Sequence, residues 1–485
     1  MLFTLISTLS AYSQNTIDPY AETEAHLTGE EITTIDINPN QINVLTARYA
    51  RISPNLNPIV KNYMFLWVES VAPELYYLEW KVNLPKAGNY EVTTLVLGKE
   101  ASIELSCNRQ KLEVVNKESE WTRLNLGKVK LKKGENSIRM FVKTDNKFNL
   151  SSIELTQSGV QQNMNEEALA NRQYNDWFRD AGYGLMFQWT NRATPQKGDT
   201  IKNWEDKVND FDVERFANMV EQTGAAYVLW SITWGQQYIS APIKSLDKII
   251  EGRTTKRDLL GEMAILLHKK GIKLIFYYHY GYDCYHSKDS AWLQAAGGYK
   301  ADKTELFQNI STILAEIGDR YKDKLNGWWF DGGQRYYDCH FDGSTGGILS
   351  APFRTISQAA RSGNGERIIA YNSWILPRLT EYQDYFGGEG LKQFKDLDDG
   401  VFRNGKHKGL MAHSCFILEE RWGHIDWNKD ITSPKYSVDQ LVGFIQNAQK
   451  NRYPLSINLE MYEDGTVSQK SVDLLEQVRI RVKGN

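Results

Sequence analysis

Cysteine is scarce in this chain. Cys107, Cys284, Cys339 and Cys415 are the four copies in 485 residues; they lie far apart and form no CxxC pair, which argues against a zinc ribbon or a dithiol redox motif and leaves the redox compartment open. A long hydrophobic run is also missing: none reaches the roughly 20 apolar residues that a membrane-spanning helix needs, so no membrane span is expected. Neither sign of charge dominates, with 57 basic against 60 acidic residues and a formal net charge of -3, which removes the electrostatic case for nucleic acid or an anionic membrane as partner. Lysine and arginine are absent before Arg48. The largely apolar stretch 2–9, followed by Ala11-Tyr12-Ser13 at the spacing of a signal-peptidase site, therefore reads as an export signal over residues 1–14 that lacks its positive n-region, as a truncated leader would. The expected location is secreted or periplasmic.

What is abundant is aromatic: 14 Trp and 26 Tyr, in a chain that is 41% hydrophobic and long enough for two domains with sizeable cores. Flat aromatic faces suit sugar rings, although large cores consume them too. The pattern changes near residue 160. Residues 15–157 read as strand after strand, including 77–82, 90–96 and 137–142, with turns at Pro85-Lys86-Ala87-Gly88-Asn89 and Lys133-Gly134-Glu135-Asn136; this predicts an antiparallel β-sandwich. Residues 158–175 are polar and form a linker or lead-in helix. From 176 to 485 apolar strands alternate with amphipathic helices, the strands at 184–189, 227–232, 274–278, 327–330, 368–371, 409–413 and 455–459. That alternation predicts a (β/α)8 TIM-type barrel with one irregular strand.

Within it, Trp328-Trp329-Phe330-Asp331-Gly332-Gly333 ends an apolar strand on an acid at a glycine-permitted turn, the place where barrel enzymes put reacting groups. A helix N-cap is the plainer use of such an Asp, but Gly-Gly-Gln-Arg-Tyr-Tyr is a poor helix start. Glycoside hydrolysis with retention needs one carboxylate to attack the anomeric carbon and a second carboxyl about 5 to 5.5 Å away to protonate the leaving oxygen. Asp331, short and on a rigid element, suits the first role. Glu389, on a Gly-flanked loop after the next strand, suits the second; Glu381, Asp384, Glu419 and Glu420 are the other acids in reach, the last two also fitting a rim ion pair with Arg421.

Several segments in order carry a resemblance. Trp177-Phe178-Arg179-Asp180-Ala181 through Phe187-Gln188-Trp189, Thr223-Gly224-Ala225-Ala226-Tyr227-Val228-Leu229, Lys256-Arg257-Asp258-Leu259-Leu260-Gly261-Glu262, residues 271–278, residues 326–332, Asp384-Tyr385-Phe386-Gly387-Gly388-Glu389 and Arg421-Trp422-Gly423-His424 resemble the successive motifs of glycoside hydrolase family 29, the α-L-fucosidases, over residues 174–475. The resemblance implies Asp331 as nucleophile and Glu389 as acid/base. It departs at the sugar pocket: where the family has a His after the first strand and a His-His pair after the second, this chain has Gln188 and Trp234-Gly235-Gln236. Gln188 could still hold a hydroxyl as a neutral donor and acceptor, while Trp234 could stack or narrow the pocket.

Trp189, Tyr278, His279, Trp329, Arg335 and Trp422 complete the expected substrate contacts, since they end strands or follow them at the rim. Arg335 suits a sulfate or carboxylate on the substrate, or a rim salt bridge. The His279, Asp283, Cys284, His286 group and the Asp338-Cys339-His340 run match no closed zinc spacing, so no metal is expected. The sandwich resembles carbohydrate-binding modules of families 6 and 35, through Tyr20-Ala21-Glu22-Thr23-Glu24-Ala25, Ala87-Gly88-Asn89-Tyr90, Trp121 and the 149–155 strand. Those modules hold a structural calcium, but Ser151 takes the place of their Asp ligand, and no cofactor is expected. The expectation is an exported retaining glycoside hydrolase releasing an α-linked L-fucose or related sugar from an oligosaccharide or polysaccharide. The alternatives are an endo-acting, fucoidanase-like hydrolase of sulfated polysaccharide and a barrel that binds carbohydrate without turning it over.

Overall fold

The computed structural model describes residues 34–483 apart from 63–64, 71–73, 199, 281–288, 301–302, 333–335, 339–347 and 374–377. Two six-stranded sheets make up the N-terminal part. One is built on Glu74–Leu84 and Gly134–Thr144, the other on Gly88–Leu97 and Asn149–Gln157. Buried residues alternate with exposed ones along Gly134–Thr144, so Ile138, Met140 and Val142 join Leu78, Trp80 and Leu155 in a core between the sheets. All pairings are antiparallel except that of Thr34–Asp36 with Glu74–Leu84. The helix Val160–Ala170 follows, and its Met164 packs against both the sandwich core and the core of the C-terminal part.

The C-terminal part holds one parallel sheet of seven strands: β1 Tyr183–Phe187, β2 Tyr227–Ser231, β3 Lys273–His279, β4 Gly327–Asp331, β5 Ile368–Tyr371, β6 Ser414–Ile417 and β7 Leu455–Leu459. Their order is β5-β4-β3-β2-β1-β7-β6. Most of these strands are apolar on both faces, as parallel strands covered on both sides are, whereas β7 turns Ser456 and Asn458 to the face opposite Leu455, Ile457 and Leu459. One face carries Leu185, Phe187, Val228, Trp230, Phe276, Tyr278, Trp328 and Phe330 against the helices. The other carries Met186, Tyr227, Leu229, Ile275, Tyr277, Trp329, Ala370 and Cys415, a separate inner core. Among the described residues the expected eight strands are thus seven. Between the two free edges runs segment 384–390, hydrogen-bonded to β5 by Asp384 N–H to the Ile369 carbonyl at 2.7 Å and to β6 by Cys415 N–H to the Gly388 carbonyl at 2.8 Å. It makes isolated bridges, Tyr385 with Met411 and Glu389 with Cys415, and no ladder. The strand expected at 409–413 lies instead at Ser414–Ile417: Gly409 has φ +81°, and residue 409 N–H and the Leu410 carbonyl bond to Phe402, so the buried Leu410, Met411 and Ala412 belong to a loop.

Candidate active site

Side chains alternate along a strand, so the inner face fixes which residues reach the open C-terminal end of the sheet. Tyr277 and Trp329 point inward; two residues on, so do His279 and Asp331, which pair across β3 and β4. By the same count Gln188 follows Met186 and Asn372 follows Ala370. Gly332 permits the close approach after Asp331: its φ is +67°, and a Cβ there would lie 2.7 Å from His279 Nε2.

Asp331 is half-buried and receives two hydrogen bonds, from the Tyr277 hydroxyl to Oδ2 at 2.7 Å and from Asn372 Nδ2 to Oδ1 at 3.2 Å. The same Asn372 nitrogen donates to Glu389 Oε2 at 2.7 Å. Because one atom reaches both acids, those two carboxylate oxygens stand at most the two bond lengths apart, under about 6 Å. Glu389 is set by segment 384–390. Asp384 anchors that segment as a fully buried acid, bound to Arg361 at 2.6 Å and to the N–H groups of Ile369 and Gln173, with burial raising its carboxyl to about 6. Gly388, at φ +75°, passes so close to β6 that a Cβ would lie 2.1 Å from the His413 carbonyl oxygen. Lys392 donates to the Glu389 carbonyl. Trp329 stacks on Tyr277, with ring centroids 5.2 Å apart, and its indole N–H bonds to the Gly387 carbonyl at 2.8 Å. One buried ring therefore braces both acids from below.

The other expected site residues divide. His279 is buried at the inner mouth, its backbone N–H donating to Thr233 Oγ1 at 2.9 Å and its carbonyl accepting from the Gln237 amide at 2.8 Å. Gln188, Trp234 and Trp422 gather at the neighbouring rim: a Cβ on Gly423 would lie 2.7 Å from the Gln188 carbonyl and 3.1 Å from Trp234 Cζ3, and Trp234 and Trp422 pack on the inner core. Gln188 is 6% exposed, with Oε1 buried and unpaired. Tyr278 and Trp189 do not belong to this mouth. Both face the helices, Tyr278 bonding Gln237 Oε1 at 2.8 Å and Trp189 bonding the Tyr462 carbonyl at 3.1 Å, so the expected sugar contacts are core residues. Trp329 faces inward but is nearly fully buried, a support more than a wall. Arg335 lies outside the described residues, as do Cys284, Asp283, His286, Cys339 and His340. Among the described residues no group of three or more His, Cys, Asp or Glu could hold a metal ion, and no helix is long and apolar enough to cross a membrane.

Of the other acids, Glu419 is raised to about 7 by burial, yet it is sealed in by the Ser471 hydroxyl at 2.5 Å and the Glu460 N–H; Arg421 pairs with Asp426 at 2.7 Å instead. Sequence reading missed Asn372 and Tyr277. A polar residue directly after the apolar run 368–371 was the available signal for the first; an inward count from His279 was the signal for the second.

No curated protein matches the sequence. Among solved structures, the α-L-fucosidase AlfC from Lactobacillus casei with its α-L-fucose product is similar at 17% identity and a TM-score of 0.44, over 64% of this chain and 98% of that one. The α-L-fucosidase isoenzyme 1 from Paenibacillus thiaminolyticus is similar at 16% identity and a TM-score of 0.47, over 66% of this chain and 77% of that one. The family model for α-L-fucosidase matches residues 199–479, more than half of the chain and a span that includes Asp331, Asn372 and Glu389, so the chain belongs to the α-L-fucosidases, glycoside hydrolase family 29.

Proposed function

We propose that this protein is an exported, retaining glycoside hydrolase that cleaves an α-linked L-fucose or a related sugar from an oligosaccharide or polysaccharide by double displacement. Asp331 attacks the anomeric carbon while Glu389 protonates the leaving oxygen; Glu389 then takes a proton from water, which displaces the sugar from Asp331. One observation carries the reading: one Asn372 nitrogen reaches both acids, which keeps an oxygen of each within about 6 Å of the other. That suits the roughly 5 to 5.5 Å of retaining enzymes better than the roughly 6.5–9.5 Å across which inverting enzymes seat a water. Segment 384–390 takes the position of the eighth barrel strand in this reading. Tyr277 and Asn372 hold Asp331 by donation and keep its attacking oxygen in place.

The purified protein would be tested on α-linked aryl glycosides and on plant and marine polysaccharides. Asp331→Ala should lose turnover while keeping binding. Glu389→Ala should keep activity toward aryl leaving groups that need little protonation and lose it toward alkyl ones. Proton NMR of the first-formed sugar should show the anomer of the substrate; the opposite anomer would overturn the retaining assignment.

A further inference from the structure

Arg192 is a half-buried guanidinium in the loop that leaves β1. Its Cζ lies over the Trp234 ring, 4.9 Å from the centroid. Other buried or half-buried arginines of this chain are matched by acids or by carbonyls: Arg179 by Asp176 and Asp399, Arg253 by Asp289, Arg361 by Asp384, and Arg172 and Arg367 by backbone carbonyls. Among the described residues no carboxylate or carbonyl lies against the Arg192 guanidinium, and burial alone acts on it, holding its affinity for the proton below the usual arginine range. A cation stripped of part of its water with no counter-charge is a net cost to the fold unless an anion arrives from outside.

The position places that anion in the cleft. Trp234, beneath the guanidinium, packs on the inner core that also holds Tyr277 and Trp329, the residues under Asp331. Gly423 fits between Trp234 and Gln188 at the same mouth. Arg192 follows β1 and its partner Trp234 follows β2, whereas Asp331 ends β4 with β3 between, so the cation sits at a different part of the rim from Asp331. An anionic group bound at Arg192 is thereby kept off the carboxylate that must attack. Farther along the same loop, the Gly198 carbonyl holds the Trp427 indole N–H at 2.9 Å and leaves that residue 48% exposed, a flat face of the kind sugar rings stack on.

We propose that Arg192, stacked on Trp234, is a specificity residue that accepts an anionic substituent, a sulfate ester or a carboxylate, on the saccharide lying across Asp331 and Glu389. This rests on the glycosidase reading above and deepens it. A guanidinium forks onto two oxygens of either group.

The full chain carrying Asp331→Asn would be titrated by calorimetry with sulfated α-L-fucan oligosaccharides, with the same oligosaccharides after desulfation, and with uronate-bearing oligosaccharides. At least one anionic form should bind about tenfold tighter than the neutral form, a preference that shrinks as salt rises. The arm that gains tells sulfate from carboxylate. Adding Arg192→Met should bring the preference below about threefold, and Arg192→Lys should keep part of it, as a cation without the fork would. Equal affinity for charged and neutral forms, no binding of any, or a preference that survives Arg192→Met would overturn the inference, the first two without any arginine variant having to fold. Hydrolysis of an aryl α-L-fucoside by the unsubstituted chain is read separately. Its absence beside a retained, Arg192-dependent preference would remove the hydrolase reading alone.

Discussion

A side-chain amide carries two N–H donors on one nitrogen, and Asn372 directs them at two different acids. Tyr277 donates to Asp331. The two residues thus separate the steps of the proposed reaction. Tyr277→Phe should slow attack by about tenfold to a hundredfold and do so equally for good and poor leaving groups, the size expected when one preorganised donor is lost. Asn372→Ala should cost a similar factor on aryl glycosides and a further factor on alkyl glycosides, because it also releases Glu389 from its place beside the leaving oxygen. Comparing kcat/KM across a leaving-group series checks this; equal slopes for both variants would remove Asn372 from the positioning of Glu389.

At the scale of the element, segment 384–390 does by irregular hydrogen bonds what a ladder does elsewhere, and it is the element that delivers Glu389. Gly388 is its closest passage. Gly388→Ala meets both a left-handed φ and the His413 carbonyl, and should cost about 3 kcal/mol or more with loss of activity. Gly365→Ala, with nothing within 4 Å and no left-handed φ, should stay within about 0.5 kcal/mol. Denaturant midpoints of the two variants give the comparison. The same segment explains what sequence could and could not supply. Six of the seven strands were legible as apolar runs, and Asp331 was legible as an acid closing one of them before a glycine. Tyr278 and Trp189 were misassigned because both faces of a buried parallel strand are apolar, so nothing in residues 274–278 says which parity faces inward. The run 409–413 looks like a strand because it is buried, yet its burial comes from segment 384–390 and Phe402 rather than from a ladder. Asn372 lies 41 positions from Asp331 and 17 from Glu389. No local pattern encodes a contact made by closure of the sheet around it.

At the scale of the whole molecule, the sandwich core and the C-terminal cores share little. Met164 of the lead-in helix packs on both. The junction also carries polar contacts: Glu120 pairs with Lys406 at 2.6 Å, Arg123 donates to the Arg378 carbonyl, and Glu167 holds Arg354 at 2.7 Å. A cavity of about 440 Å³, lined by Gln41, Met164, Glu167, Phe353, Arg354 and Tyr382, lies within this seam. Exposed ion pairs contribute about 0–1 kcal/mol each and weaken with salt, so they couple the two parts poorly. Differential scanning calorimetry should therefore resolve two unfolding transitions, moving farther apart as salt rises. Met164→Asp removes the shared apolar contact. It should lower one or both transitions without merging them, and activity measured below the first transition should persist, since Asp331, Asn372 and Glu389 draw their hydrogen bonds from the C-terminal part. A single transition with equal calorimetric and van't Hoff enthalpies would mean that the sandwich and the catalytic sheet fold as one unit, and that the seam couples them far more strongly than its ion pairs imply.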